Sequence, residues 1–164
     1  MRDTYREFWQ YLSKEQQDLL LQGDYLSGEI IQRQKHTFKD YSFLVFPYAK
    51  AYEGFLKQLF QDIGYISHLD YISDHLRLGK LMSPNLIDRL GDRSLYLRIE
   101  KSSGRDLAEK IWNTWKVGRN QVFHYFPHNL KALSFEEAEK LVNTIVQTMQ
   151  ESYRTLYEPS RKGY

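Results

Sequence analysis

Between Tyr41 and Ile63 the apolar residues Phe43, Phe46, Ala49, Tyr52, Leu56, Leu59, Phe60 and Ile63 return every three or four positions. That interval matches the turn of an α-helix and predicts one long buried helix at the centre of the core. Pro47 falls near its first turns, where a missing N–H is tolerated, and Gly64 is the predicted stop. A chain organised around such a helix has to supply other helices to cover it.

The same period runs through most of the remaining sequence. Tyr5, Phe8, Trp9, Leu12, Leu19 and Leu20 fit a first helix ending at Gly23, and a second is predicted from about Tyr25 to Lys39. From Asp106 to Phe126 the pattern returns with Leu107, Ala108, Ile111, Trp112, Trp115, Val122 and Phe123, and Pro127 is the predicted stop. Ser134 and Glu137 form a capping-box pair before a last helix through Leu141, Ile145, Met149 and Leu156. Residues 65–103 are interrupted by Gly79, Pro84 and Gly91, with Gly104 just beyond, and predict short helices and turns. There, Leu95, Leu97 and Ile99 alternate with Tyr96 and Arg98, which admits a strand from Ser94 to Ile99. The reading is all-α: an antiparallel helical bundle with short additional helices, residues 1–158 forming one domain and 159–164 a flexible tail.

At 164 residues the chain can bury a core of its own. With no cysteine, disulfides, thiol nucleophiles and Cys-based metal sites are excluded, which suits a reducing compartment. The first twelve residues mix charges with aromatics, and no apolar run approaches the ~20 residues of a membrane span, so a cytoplasmic protein is expected. A net charge of +2 permits a polyanion partner only through a local patch.

One motif carries chemistry. Arg119-Asn120-Gln121-Val122-Phe123-His124 ends just before Pro127, where side chains can leave the core. With 11 Arg, 5 Asn and 5 His, a shuffled chain would hold the pattern Arg-Asn-x-x-x-His about 0.01 times. This motif resembles that of HEPN ribonucleases, in which an Arg, often followed by a polar residue, precedes a His by four to six positions. The stretch from Tyr41 to Leu56 is similar to the matching helix in the HEPN domain of the RnlA/LsoA (RNase LS) toxins, and Glu53 stands where that family has a Glu accompanying the motif. The resemblance covers about residues 30–155; the toxins carry N-terminal domains that this sequence does not show.

The resemblance implies a HEPN-like bundle and a metal-independent endoribonuclease, the toxin of a toxin–antitoxin or phage-defence pair. Its site would comprise Arg119, His124, Glu53 and Asn120, with no metal and no cofactor. It further implies a homodimer with a composite cleft, an RNA substrate and a cognate antitoxin protein. The residue types suit the reaction: a base takes the 2′-hydroxyl proton, the oxygen attacks the phosphate, a cation stabilises the transition state and an acid protonates the leaving 5′-oxygen. Histidine titrates near neutrality and arginine presents a planar fork to phosphate oxygens. Asn120, one turn before His124, is placed either to hold the imidazole or to touch the phosphate. Lys116, Tyr125 and His128 are candidate RNA contacts. On a regular helix five residues turn by about 140°, which separates Arg119 from His124 in one chain and agrees with the dimer. Glu53 lies on an apolar face and needs a partner, for which Arg119 is the best candidate.

Plainer readings stand beside these. Trp112 and Trp115 are residues that could stack bases but fall at core spacing, and His68, Asp70, Asp74 and His75 read as solvated helix residues rather than a metal site. A non-catalytic HEPN module binding nucleotide, RNA or a protein would show the same motif.

Overall fold

Helix α3 is the core of the molecule because Leu44, Val45, Tyr48, Ala51, Tyr52, Phe55, Leu56, Leu59 and Phe60 are buried around most of its circumference, while Phe46, Lys50, Glu53, Lys57 and Gln61 form one narrow, less buried stripe. In the computed structural model, which describes residues 2–33, 37–125 and 127–161, the order is α1 (Arg2–Tyr11), α2 (Lys14–Arg33), α3 (Ser42–Asp62), α4 (His68–Ile72), α5 (Leu78–Leu81), α6 (Ile87–Leu90), α7 (Leu95–Ser103), α8 (Arg105–Trp115), α9 (Phe135–Ser152) and α10 (Glu158–Arg161). Turns of π-helix follow α8 (Lys116–Gln121) and α9 (Tyr153–Tyr157). No strand occurs among the described residues.

Side-chain contacts give the directions of the long helices. Gln16 bonds Gln58 while Asp24 accepts from Tyr48, so α2 runs antiparallel to α3. Tyr52 reaches the Ile111 carbonyl, and farther on Phe46 meets Phe123, so α8 and its continuation also run antiparallel to α3. Tyr41 packs on Phe135 at the start of α3 and α9, and the N-terminal helix bridges their far ends, with Phe8 against both Phe55 and Tyr153. The helices α2, α3, α8 and α9 therefore form an antiparallel arrangement in which α3 and α9 share a direction. The short helices α4–α7 occupy the long connection between α3 and α8.

Helix ends follow from local chemistry. Tyr65 N–H bonds the Phe60 carbonyl at 2.7 Å and Gly64 N–H the Gln61 carbonyl at 3.0 Å, with Gly64 at φ +74° and the Phe60 and Tyr65 rings stacked, a Schellman ending to α3. Ser134 and Glu137 make the reciprocal capping pair that the sequence predicts for α9.

Four boundaries differ from the sequence reading. The strand from Ser94 to Ile99 does not form: Ser94 Oγ accepts from Leu97 N–H and starts α7, whose Leu95, Tyr96 and Ile99 are buried at helical spacing. Gly23 does not end a helix, since α2 passes through it. A Cβ at Gly23 would lie 2.2 Å from the Tyr48 ring, so the glycine lets α3 approach. The break falls instead at Ser13, which exchanges hydrogen bonds with Gln16, and α2 ends at Arg33 before residues that lie outside the description. Regular α-helix after Arg105 stops at Trp115, and Phe126 lies outside the described residues. Of the expected tail, Pro159, Ser160 and Arg161 are helical, and 162–164 are not described.

Three tyrosines couple this packing to pH. Burial and the neighbouring carboxylate push the phenols of Tyr11 (on Asp62, 2.7 Å) and Tyr48 (on Asp24, 2.5 Å) above the ordinary tyrosine range, and burial alone does so for Tyr52. A pKa raised in the folded state stabilises the fold below the unfolded value and loses that contribution as pH rises past it. Urea midpoints are expected to fall above about pH 10, the unfolded tyrosine value. A flat profile across that range would contradict the assignment.

Candidate functional site

Glu53 projects from α3 with 28% of its side chain exposed, too buried to be left without a partner. Arg119 Nε donates to its Oε2 at 3.0 Å, the pairing that the apolar setting of both residues leads one to expect, and Lys57 Nζ stands 3.9 Å from Oε1. Arg119 itself is 39% exposed. At that exposure the ion pair adds modestly to stability, and its main effect is on orientation. Only Nε donates to Glu53, and the two terminal amino groups of the guanidinium make no hydrogen bond with a described residue. The plane is held further by rings one turn away on either side, Trp115 at 5.2 Å and Phe123 at 5.8 Å. Phe123 in turn rests on Phe46 of α3, with ring centroids 5.0 Å apart.

Arg119 lies in the π turn Lys116–Gln121, not in regular α-helix. The turn ends at Gln121 and His124 lies in a bend beyond it, so the ~140° of a regular helix does not describe the angle between Arg119 and His124. The turn can sit where it does because Gly118 is buried: a Cβ there would stand 3.0 Å from Ile145 Cδ1 and 3.2 Å from Cγ1. The absent side chain lets the turn lie against α9 and sets Arg119 beside α3. Neither the π turn nor the role of Gly118 was legible in the sequence, although a glycine next to the motif Arg was a usable signal.

Glu53, Arg119 and Asn120 line one cavity of about 520 Å³. Its other wall comes from the α5 segment, with Arg77, Gly79, Lys80 and Ser83, and Trp112 and Trp115 complete it. Sequence reading missed the α5 residues, because no local pattern ties them to a motif some forty positions later. Trp115 is in the core, 3% exposed, whereas Trp112 is half-buried and meets the cavity.

The other candidates stand apart. His124 is exposed in the bend after the turn and does not line the cavity. Among the described residues no hydrogen bond joins it to Asn120, which lines the cavity instead. Lys116, Tyr125 and His128 are exposed outside the cavity, Tyr125 at 80%, and His128 takes a left-handed backbone, φ +59°. Of the histidines and acids near α4, Asp70 caps that helix through Ser67 and His68 faces Gln61. Among the described residues no group of three or more His, Asp or Glu is placed to hold a metal, and no helix is long and apolar enough to cross a membrane.

The chain matches no family model, no curated protein and no solved structure.

Two substitutions separate positioning from stability. Gly118→Val is expected to destabilise by ~1–3 kcal/mol through overpacking against Ile145, while Glu53→Gln is expected to cost less than about 1 kcal/mol, as for an exposed pair. Chemical denaturation checks both. A neutral Gly118→Val would contradict the close approach of the turn to α9.

Proposed function

We propose that the protein is a metal-independent endoribonuclease of the HEPN type, acting as the toxin of a toxin–antitoxin or phage-defence pair. The observation that carries this reading is the Glu53–Arg119 pair: a carboxylate on the central helix fixes the motif arginine with its terminal amino groups free beside a cavity. A guanidinium held in that way is matched to the equatorial oxygens of a phosphate under attack. In the reaction, the 2′-oxygen loses its proton to a base and forms a bond to phosphorus. The bond from phosphorus to the 5′-oxygen breaks, and that oxygen leaves with a proton from an acid. His124 is the proton carrier in this reading, Arg119 bears the developing charge, Asn120 contacts the phosphate and Glu53 is a positioning residue.

His124 does not line the cavity that holds its own Arg119. A homodimer with a composite cleft supplies the imidazole of one chain to the arginine of the other, and exposed Phe46 (48%) and Phe123 (41%), with Tyr125 beyond them, offer apolar area for such a contact. RNA as substrate and a protein antitoxin follow from the resemblance of the motif and the α3 stretch to the RNase LS toxins, as does the cytoplasm as location.

One observation favours a second reading, a non-catalytic HEPN module: no described residue orients His124 through a hydrogen bond. The two readings part on activity. Purified protein is expected to cleave RNA in EDTA, His124→Ala and Arg119→Ala each to lose at least about 100-fold, and a mixture of the two inactive chains to regain part of the activity. Cleavage that survives His124→Ala overturns the assignment, and mixing without recovery overturns the composite cleft.

A further inference from the structure

The cavity beside Arg119 has a wall that the motif does not explain. Arg77 and Lys80 flank Gly79 on the α5 segment, and both are exposed at the cavity. Arg77 spends one Nη1 bond on the Asp74 carbonyl at 3.0 Å, and Lys80 makes no ion pair with a described residue. With Arg119 these are three cations around a single carboxylate, Glu53, which Arg119 and Lys57 already approach. The excess charge is unmatched within the site and suits an anionic ligand.

An anion alone would not need the rest of the lining. Trp112 is half-buried, lines the cavity one turn from Lys116, and packs against the core rather than in it. Trp115, almost fully buried, lines the cavity as well. Its Nε1 is buried without an acceptor among the described residues, and a Cβ on Gly79 would come within 2.7 Å of it. The α5 wall thus closes over Trp115 Nε1 at a glycine, and the cavity is lined by two tryptophans and a cationic rim. Its volume, about 520 Å³, is in the range of a small-molecule site, ~300–1,000 Å³, and has room for about one nucleotide.

We propose that this cavity binds one nucleotide of single-stranded RNA, its base against Trp112 and its phosphate among Lys80, Arg77 and the free amino groups of Arg119. The choice of RNA rests on the ribonuclease reading; the single-stranded form follows from the cavity. A base can lie on an indole inside a cleft only when it is unpaired and unstacked from its neighbours, and a duplex presents phosphates without exposed base faces. An acidic peptide would use the cations and leave the indole face idle.

The test is binding of a short, non-cleavable 2′-O-methyl single-stranded oligoribonucleotide, followed by fluorescence anisotropy, with the same sequence as a duplex and polyglutamate as competitors. The full chain is expected to prefer the single strand to both competitors. Trp112→Ala is expected to weaken binding about tenfold, and Trp112→Phe to restore most of it. Lys80→Ala, at an exposed position where folding is not at stake, is expected to lower the slope of log affinity against log salt by about 0.7. Lys14→Ala, at a lysine paired with Asp18 on α2, should change neither. Binding that ignores Trp112 and Lys80, or that favours duplex or polyglutamate, overturns the proposal even if cleavage depends on His124 as the ribonuclease reading requires. Binding that follows Trp112 and Lys80 in a protein that does not cleave RNA sustains the proposal and defeats that reading. Failure of the wild-type chain to bind the oligonucleotide overturns it outright.

Discussion

A carboxylate on the most buried helix of a bundle has to be matched, and the match at Glu53 organises the functional end of this molecule. Glu53 is part-buried and its own helix offers it only Lys57 at 3.9 Å, so the segment of chain that follows α8 brings the closer cation to α3. Arg119 does so from a π turn, with Trp115 and Phe123 stacked on either side and Gly118 letting the turn close on α9. The ring of Phe123 continues onto Phe46, tying the end of the turn back to α3. One ion pair of modest energy thus fixes the direction of a guanidinium, and packing that carries much more energy fixes the pair.

The α8–α9 side of the bundle keeps that arrangement rigid. Thr148 donates to the Thr144 carbonyl at 2.8 Å, which leaves Thr114 as the donor in the buried hydroxyl contact between the two helices, 3.0 Å. Lys110 and Glu151 pair on the same crossing nearer the solvent. A register fixed at Thr114 leaves the π turn little freedom to slide, since it begins two residues later at Lys116.

Long periodic segments were legible in the sequence: α3 with its stop at Gly64, and α9 with its Ser134–Glu137 cap, because helix period and end chemistry act locally. Short segments were not. Leu95, Leu97 and Ile99 satisfy a strand's alternation, yet Ser94 as a cap and burial of Tyr96 decide for helix, and burial is a property of the assembled core. Gly23 reads as a stop until Tyr48, far along the chain, is known to need its space. In the site, the partnership of Glu53 and Arg119 was legible because charged residues on apolar faces must find each other. The α5 wall, with Arg77, Lys80 and Ser83, was not, since only tertiary packing brings it to the motif. Lys116, Tyr125 and His128 are near the motif in sequence, yet lie outside the cavity.

On the proposed ribonuclease reading these pieces meet a single chemical demand: a cation set for a phosphate, an imidazole supplied near it, and a cleft that admits one flexible strand. The most direct measurement is the chemistry of the ends left on RNA by the purified protein, read by mass spectrometry. Attack by the 2′-oxygen leaves a 2′,3′-cyclic phosphate and a 5′-hydroxyl, and the account requires those ends. Products bearing 3′-hydroxyl and 5′-phosphate ends, or intact RNA, would contradict it.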